Sequence, residues 1–472
     1  MENFRVGLML ILTIPIMLIL MSSIITLGEA PLLWTKPIQV FDVAISADGS
    51  YVIVGTPNNI TLYDKYGNVI WSYPENNSLI FTAVDISSSG NEVVGALYNP
   101  NTRNHMICFW KNAKTLSGYP EPSWISTALS DGIGNRALAI SGDGNHVVAA
   151  GSGLLYWNNT KTLVGTNIVP IWNYIVDDEI DFIAVDISYN GERVIAVAHS
   201  PGSTAGYALF WDSAHQHTGF TSPTQTITRF PSGPVEFSRI VMKDCAISGD
   251  GAYFVIAYYR YTYLLIASTD AIGERSSVVE FFSTDSLPDS LWLNTTLDAE
   301  VEGVDVCGNG NVVVSIYNTV EPSFILSPYA LMYFNNAKAL SGDVSASWVY
   351  QNFPTDSNDL RDVEADYTGS HIIVGAYGYE KNDYVYFFNE YGELLWQYSE
   401  PGKPMGEVVD ISSNGLYTVS GGPEFDSVYF FGPIIGGEFN IPNPEKNVNT
   451  PIMIIITIAL LVSAIALASK VK

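Results

Sequence analysis

The chain has 472 residues, of which 47% are apolar and only 15% are charged, with 48 acidic against 21 basic side chains. The formal charge of −27 repels a phosphate backbone, so nucleic acid is excluded as a partner class. Cys108, Cys245 and Cys307 occur without a Cys-x-x-Cys spacing, which argues against a disulfide framework and against a thiolate metal site. We expect all three to be small buried hydrophobic residues.

The first 30 residues have the features of a targeting segment. Arg5 precedes an almost uncharged apolar run over 6–27, and the small residues Gly28 and Ala30 follow where a signal peptidase would cut. We therefore predict a signal peptide over 1–30, with cleavage after Ala30. The apolar run of 22 residues is long for a signal peptide, so an uncleaved signal anchor is the alternative.

One pattern then occurs eight times, Val-Asp-Ile-Ser-x-x-Gly followed by an apolar run, with substitutions at several positions. The copies end at Gly49, Gly90, Gly144, Gly191, Gly251, Gly310, Gly369 and Gly415 and are spaced by 41–60 residues. A repeat of this length built only from strands is typical of a β-propeller with one four-stranded blade per copy. The predicted fold class is therefore all-β, an eight-bladed β-propeller over residues 31–435.

The first copy indicates how a blade is encoded. Residues 43–46 and 51–56 are strand-forming runs separated by a Ser-Ala-Asp-Gly turn, in which the glycine accepts a positive φ. Residues 60–64 and 69–73 supply a third and a fourth strand around a second turn. Three antiparallel hairpins in series form a meander whose two faces can be buried only between neighbouring blades.

A tryptophan marks the fourth strand of most copies, and we expect its ring to pack between adjacent blades. These residues are Trp71, Trp124, Trp172, Trp292, Trp348 and Trp396. A second pattern, CFWKNAKTLSG at 108–118, recurs after the third strand of copies two, three, four and six, which predicts a structural hairpin. The segments 219–237 and 270–290 depart most from the repeat and are predicted to be long loops.

The eighth copy ends after three strands, and a candidate for its fourth strand lies at the other end of the chain. Residues 32–37, LLWTKP, are similar to the fourth-strand sequences around Trp71 and Trp396. We predict that this N-terminal strand completes the last blade. The ring would then be closed, which removes the sheet edges that otherwise promote aggregation.

Two segments, YDKYGNVIWSY at 63–73 and FNEYGELLWQY at 388–398, resemble the pyrroloquinoline-quinone-type propeller repeat, whose blades carry Asp-x-x-x-Gly-x-x-x-Trp. The Val-Asp-Ile-Ser-x-x-Gly copies resemble strands of WD-repeat-like surface propellers. The resemblance covers 32–433 and implies a ring, for which eight blades is the usual number among quinone-type propellers. Some members are quinoprotein dehydrogenases, and others bind proteins without a cofactor. Because the chain lacks the adjacent cysteine pair of many alcohol-oxidising quinoproteins, we expect no cofactor.

An acidic set is the strongest candidate site. One equivalent position of the repeat, just before its Ile or Val, is occupied by Asp85, Asp186, Asp305 and Asp410, with Glu364 in copy seven. If the repeated strand is innermost, these carboxylates approach the central channel and could hold Ca²⁺ or a basic group of a partner. The alternative is structural: each carboxylate accepts hydrogen bonds from backbone amides and joins neighbouring blades.

Four Asn-x-Ser/Thr triplets without an intervening proline are candidate N-glycosylation sites, at Asn59, Asn76, Asn158 and Asn294. We place them beside turns or on outer strands, where an attached glycan would meet solvent. They fit a propeller that lies outside the cytoplasm.

The C-terminal end predicts a membrane anchor. Residues 436–450 form a polar stalk rich in Pro and Asn, followed by an uncharged apolar run over 452–468. As a helix, this run is just long enough to span the hydrocarbon core, so we predict a transmembrane helix over 451–469. Its flanking lysines, Lys470 and Lys472, indicate a cytoplasmic tail at 470–472.

These features predict a single-pass membrane protein of a prokaryotic, archaeal cell surface, whose extracytoplasmic propeller is a binding or adhesion scaffold for surface proteins or glycans. One alternative is an enzyme, either a surface quinoprotein oxidoreductase or another propeller enzyme. Another is a structural component of a surface layer. The sequence has no Gly-x-Ser-x-Gly elbow, phosphate loop or His-Glu-x-x-His, so no catalytic or cofactor-binding residue is predicted.

Overall fold

The computed structural model describes residues 28–433 except for 75–78, 102–103, 128–133, 135, 152, 176–179, 200–203, 231–237, 265–271, 320–328, 354–358, 378–383, 401–405 and 423–426. The stalk, the transmembrane helix, the cytoplasmic tail and most of the targeting segment lie outside the described residues. Within the described ranges, no helix is both long and apolar enough to cross a membrane.

Eight sheets follow one another along the chain, and each contains a four-stranded antiparallel meander. Two N-terminal strands precede them, β1 (Gly28–Glu29) and β2 (Leu32–Lys36). Blade 1 contains β3 (Asp42–Ile45), β4 (Tyr51–Gly55), β5 (Ile60–Asp64) and β6 (Val69–Tyr73). Blade 2 contains β7 (Ile80–Ile86), β8 (Glu92–Asn99), β9 (Asn104–Lys111) and β10 (Trp124–Ser126). Blade 3 contains β11 (Leu138–Ile140), β12 (His146–Ala150), β13 (Leu154–Asn158) and β14 (Trp172–Tyr174).

The next three blades are longer. Blade 4 contains β15 (Asp181–Ile187), β16 (Val194–His199), β17 (Gly206–Trp211) and β19 (Gln225–Arg229), and the short β18 (Gly219–Phe220) between its last two strands joins the sheet of blade 3. Blade 5 contains β20 (Ser238–Ile247), β21 (Tyr253–Leu264), β22 (Ile272–Ser283) and β23 (Trp292–Leu297). Blade 6 contains β24 (Ala299–Val306), β25 (Val312–Thr319), β26 (Tyr329–Asn335) and β28 (Trp348–Tyr350), and the short β27 (Gly342–Asp343) between its last two strands joins the sheet of blade 5.

Blade 7 contains β29 (Asp359–Ala365), β30 (His371–Tyr377), β31 (Tyr384–Asn389) and β32 (Leu394–Tyr398). Blade 8 contains β33 (Val408–Ile411), β34 (Thr418–Gly422) and β35 (Ser427–Phe431). The described helices are short 3-10 turns at Ala113–Thr115, Thr160–Thr162, Ala214–Gln216 and Ala337–Ala339. The recurrent hairpin pattern encodes each of these turns, as its repetition predicted.

The first strand of every blade is innermost. Each of these strands contacts the first strands of both neighbouring blades, and β33 of blade 8 meets β3 of blade 1. The strands therefore surround a central channel. The predicted eight-bladed ring is confirmed.

The ring is closed by the N-terminal strand. In the fourth position of blade 8, β2 pairs antiparallel with β35 and places Trp34 opposite Phe430. The Trp34 ring stacks on Phe430 with 5.1 Å between centroids and contacts Tyr63 of blade 1 at 5.5 Å. The closing strand predicted at 32–37 is therefore confirmed.

The fourth-strand tryptophans pack between blades, as predicted. Trp172 stacks on Tyr156 of its own blade at 5.0 Å and on Trp211 of the next blade at 5.5 Å. Its indole N–H donates to the carbonyl oxygen of Ala214, in the 3-10 turn of the next blade, at 2.8 Å. The three cysteines are buried and unpaired.

The prediction of long loops at 219–237 and 270–290 is wrong. The first segment contains β19, the fourth strand of blade 4, and the second contains all of β22, which pairs with β21 over 12 residues. Both strands carry β-branched or aromatic residues, in QTITR and SSVVEFF, which favour strands. The many Ser and Thr residues there obscured this signal, because the same residues are common in turns.

Candidate functional site

The central channel carries carboxylates at two levels. The lower ring is the predicted set, Asp85, Asp186, Asp305, Asp410 and Glu364, and all of them line the channel. The upper ring lies two residues earlier in the repeat and consists of Asp42, Asp244 and Asp362. The predicted set does not include the upper ring, although its signal is visible as an Asp before Val or Cys in copies one, five and seven.

Each lower-ring aspartate joins two blades. In Asp85, Oδ1 accepts the amide N–H of Ile86 in its own blade at 2.7 Å, and Oδ2 accepts that of Ile140 in blade 3 at 2.8 Å. The same pair of bonds, at 2.7–2.8 Å, is made by Asp186, Asp305 and Asp410. These bonds connect blade 4 to blade 5, blade 6 to blade 7, and blade 8 to blade 1.

The upper ring joins three of the remaining junctions in the same way. Bonds of 2.8–3.2 Å run from amide N–H groups to Asp42, Asp244 and Asp362, each of which bridges its own blade and the next one. Blade 3 carries alanine at both levels, and its junction with blade 4 is made by the Arg136 carbonyl, which accepts the Val185 amide at 2.8 Å. Every junction thus has one such link, as the structural interpretation of the acidic set expected.

The interpretation of the lower ring as a Ca²⁺ site stays a prediction. In the described part of the chain, no three His, Cys, Asp or Glu side chains are placed to hold a metal ion together. The aspartates of the ring already use both oxygens as acceptors for backbone amides. A cation would therefore compete with these links for the same oxygen atoms.

One cation lies across the upper ring. The Arg136 side chain extends from blade 3, and its Nη1 lies 3.1 Å from Asp244 Oδ2 and donates to the Glu302 carbonyl at 2.7 Å. Its Nη2 donates to the Arg361 carbonyl at 2.6 Å and lies 3.4 Å from Asp362 Oδ1. Arg136 therefore connects blade 3 to blades 5, 6 and 7 through the channel.

The channel holds more negative charge than Arg136 can balance. Burial raises the pKa of Asp85, Asp186 and Asp305 to about 7 each, although backbone hydrogen bonds act in the opposite direction. Burial likewise raises the pKa of Asp410 to about 8. Burial, followed by repulsion from Asp305, holds the pKa of Glu364 well above its ordinary value. The lower ring therefore takes up protons near neutral pH.

In the upper ring, Arg136 offsets part of the negative charge of the carboxylates. Burial raises the pKa of Asp244 to about 6, and attraction to Arg136 limits this rise. For Arg136, burial opposes the charge, but attraction to Asp244 and Asp362 raises the pKa above its ordinary value. The guanidinium is therefore charged at neutral pH.

We expect Arg136→Met to lower the free energy of unfolding by about 3–5 kcal/mol at pH 8, because the upper-ring carboxylates lose their counter-charge. At pH 6 the loss should be smaller, since Asp244 is then partly protonated. Urea unfolding at both pH values measures this difference. Arg193→Met is the matched control: its ion pair with Asp212, at 3.0 Å, is partly exposed, so its removal should have an effect of at most about 1 kcal/mol. Equal losses for the two variants would contradict the role of Arg136.

The upper end of the channel opens into a mouth, a cavity of about 620 Å³. In each of the eight copies, the residue directly before the upper position lines this mouth. These residues are Phe41, Thr82, Arg136, Ile183, Lys243, Glu302, Arg361 and Glu407. These positions are equivalent in the repeat but differ in size, polarity and charge. The mouth is therefore asymmetric, although the rings below it nearly repeat from blade to blade.

The candidate glycosylation sites lie in different environments. Asn59 is half-buried in the turn between β4 and β5, and Asn76 lies outside the described residues. The Asn158 amide donates to the His215 carbonyl at 2.9 Å. Asn294 is only 9% exposed, and its amide donates to the Val344 carbonyl at 2.8 Å. The side-chain nitrogen that a glycan would modify at Asn158 or Asn294 already donates one of these bonds, whereas glycosylation itself stays a prediction.

The fold defines the class of protein, an eight-bladed β-propeller. No family model and no curated protein matches the chain. Among solved structures, the chain is similar to the Dos1 propeller, with a TM-score of 0.57 and 12% identity over 85% of this chain and 95% of that one. It is also similar to the C-terminal WD40 domain of Sif2, with a TM-score of 0.56 and 11% identity over 87% and 99% of the two chains. These similarities establish the fold.

Proposed function

We propose that this propeller is a binding scaffold of a cell surface that holds a partner protein at the mouth of its channel. The observation that carries the proposal is the contrast between the two carboxylate rings and the mouth above them. The rings have one task, joining blades, and they repeat. The mouth has no such repetition, and its eight side chains, of six residue types, form a surface that can distinguish one partner from another.

The chemistry of the mouth fits a protein partner. Two of its cations are already close to carboxylates: Lys243 lies 2.7 Å from Glu302, and Arg361 lies 3.1 Å from Asp359. Phe41 and Ile183 add apolar surface beside these ion pairs. Protein interfaces obtain specificity from a mixture of charged and apolar contacts. The net charge of −27 disfavours the binding of an acidic partner to the rest of the surface.

The location at the cell surface rests on the two ends of the chain. The apolar runs at 6–27 and 452–468 would anchor the protein in the membrane, and the basic residues beside them would stay in the cytoplasm. With either a cleaved or a retained N-terminal segment, the propeller then lies outside. The Asn-x-Ser/Thr triplets agree with this side of the membrane.

We expect Thr82→Trp, which fills part of the mouth, to reduce capture of the partner at least tenfold. The measurement is crosslinking of the full-length protein on intact cells with a reagent that cannot cross the membrane, followed by identification of the captured proteins. Ser413→Trp, on an exposed turn at the opposite end of the channel, is the control and should retain capture.

Three results would contradict the proposal. Capture that is unchanged in Thr82→Trp would exclude the mouth, and loss of capture only in Ser413→Trp would place the interface at the opposite end. If the reagent labels the propeller only after the cells are lysed, the cell-surface location is wrong. Capture of glycans without any protein would replace the protein partner with a glycan.

A further inference from the structure

The outer edges of the blades differ in whether another segment of the chain pairs with the fourth strand. After blades 1, 2, 3 and 5, the long hairpin of the next blade returns and places a glycine against the fourth-strand tryptophan in parallel orientation. These pairs are Trp71 with Gly118, Trp124 with Gly165, Trp172 with Gly219, and Trp292 with Gly342. We call these returning segments the edge caps.

The edge caps share one hydrogen-bond register. On blade 2, the Gly165 amide donates to the Ser123 carbonyl at 3.0 Å, and the Ile125 amide donates to the Gly165 carbonyl at 2.9 Å. The Ile168 amide then donates to the Ile125 carbonyl at 2.9 Å. On blade 3, Gly219 donates in the same way to the Ile171 carbonyl at 2.9 Å. An outer edge of this propeller is thus a template for a short extended segment.

The glycine of each cap is required by its backbone conformation. Gly118, Gly165, Gly219 and Gly342 have φ values of 69°, 101°, 68° and 76°, and no atom lies within 4 Å of the place where a Cβ would stand. Side chains are therefore excluded by the left-handed φ and not by lack of space. An apolar residue two positions earlier packs on the blade junction, as Leu163 and Leu340 do.

Blade 7 shows that a cap need not come from a neighbouring hairpin. Blade 8 has no connection between a third and a fourth strand, since its fourth strand is β2. In the chain that retains its N-terminal segment, β1 takes the place of the cap and pairs in parallel with β32, with Gly28 opposite Trp396, whereas cleavage after Ala30 would remove it. Glycine again stands opposite tryptophan, although this segment is remote in sequence from the blade that it covers.

The outer edge of blade 6 keeps the tryptophan but has no cap. Blade 7 has a short turn there, whose Glu390 carbonyl accepts the Trp348 indole N–H at 2.9 Å. In the described ranges, no strand pairs with the outer side of β28. The edge also exposes apolar surface, because Val349 is 45% exposed and Tyr391 of the short turn is 74% exposed.

We propose that the outer edge of blade 6, Trp348–Tyr350, is a docking site for an extended segment of a partner protein, with a glycine opposite Trp348 in the register of the edge caps. In that register, the Val349 amide donates to the glycine carbonyl, and the Ser347 and Val349 carbonyls accept amides of the partner. Addition of a strand to a free sheet edge is an established mode of peptide recognition. The apolar side chain of the partner, two positions before its glycine, then lies near Val349 and Tyr391. This site is separate from the mouth.

The parallel register favours a partner protein over a second copy of this chain. All the edge caps run parallel to the strand that they cover. Two identical edges that meet across a two-fold axis normal to the sheet run antiparallel to each other. A symmetric pair of blade 6 edges would therefore not reproduce the register that the propeller uses five times for its own segments.

The test uses the full-length protein and a synthetic peptide of residues 161–168, KTLVGTNI, with a photoreactive group at the position of Leu163. This peptide is the cap of blade 2. We expect light-induced crosslinks at 347–350 and 389–392 in the native protein and in Val349→Ala, which keeps the amide N–H. In Val349→Pro, which removes it, crosslinking there should fall at least tenfold. Proline is tolerated where the N–H of an edge strand faces solvent, and an unchanged melting temperature checks that this variant folds.

A second peptide, with valine in place of Gly165, keeps the test independent of the proline variant. It should crosslink at least tenfold less, because valine does not adopt the left-handed conformation. Absence of crosslinks at 347–350, or equal crosslinks with both peptides and in Val349→Pro, would overturn the proposal. A dimer that excludes the peptide and dissociates in Val349→Pro would also overturn it and identify a second copy as the occupant.

Discussion

Replacement of Trp34 with alanine is expected to lower the free energy of unfolding by about 3–5 kcal/mol, the usual range for truncation of a buried large aromatic side chain. Trp34 is 9% exposed and lies between the first and last blades, in contact with Tyr63 and Phe430. Its indole N–H donates to the Lys65 carbonyl at 3.2 Å. The substitution therefore leaves a cavity and an unpaired carbonyl at the junction that closes the ring.

The adjacent residue supplies the control for this prediction. Leu33 is in the same strand but is 51% exposed, so Leu33→Ala should change the free energy of unfolding by less than about 1 kcal/mol. Chemical denaturation of both variants gives the comparison, with the slope against denaturant checked for a change in cooperativity. Similar values for the two variants would mean that β2 contributes little to closure.

The closing strand could be predicted because its information is local. LLWTKP shares its tryptophan and its apolar residues with other fourth strands, and the eighth copy visibly lacks one. The lower ring could be predicted for the same reason, since aspartate recurs at one position of four copies. A repeat turns a long-range arrangement into a comparison of aligned positions.

Arg136 and the upper ring could not be found in this way. Aspartate occupies the upper position only in copies one, five and seven, and the other copies carry Ala, Gly or Val there. Arg136 reaches carbonyls that are 166 and 225 residues away in sequence. Nothing next to Arg136 in the sequence indicates these contacts, because they exist only once the ring has formed. The edge caps were likewise recognised as hairpins, but not as covers for the preceding blade.

The distribution of the linking carboxylates over two levels of the channel has an electrostatic reason. One carboxylate per junction is enough to join two blades, and placing successive carboxylates at different levels separates like charges along the ring. Blade 7 departs from this rule, because it carries both Asp362 and Glu364. Burial, followed by repulsion from Asp305 and then from Asp362, raises the pKa of Glu364 well above its ordinary value, which favours the neutral form of this carboxyl. The channel thus depends on protons as well as on Arg136 for its neutrality.

The propeller is therefore expected to lose stability as the pH rises from 6.5 to 8. In the folded protein the pKa values of Asp85, Asp186 and Asp305 are about 7, and that of Asp410 is about 8. In the unfolded chain an aspartate has a pKa near 3.9, so it is already ionised throughout this interval. The folded state binds more protons, and its free energy of unfolding should fall by an amount on the order of 4 kcal/mol.

Urea unfolding between pH 6.5 and 8, at constant ionic strength, measures this fall. The interval begins at 6.5 because burial lowers the pKa of His146, whose protonation in the unfolded chain opposes the trend at lower pH. Asp410→Asn removes the lower-ring aspartate whose pKa is about 8, against about 7 for Asp85, Asp186 and Asp305, so the fall should be smaller in this variant even though it loses a link between blades. If stability is constant or increases over this interval, the lower ring is ionised in the folded state, and the amide bonds to its oxygens outweigh the effect of burial.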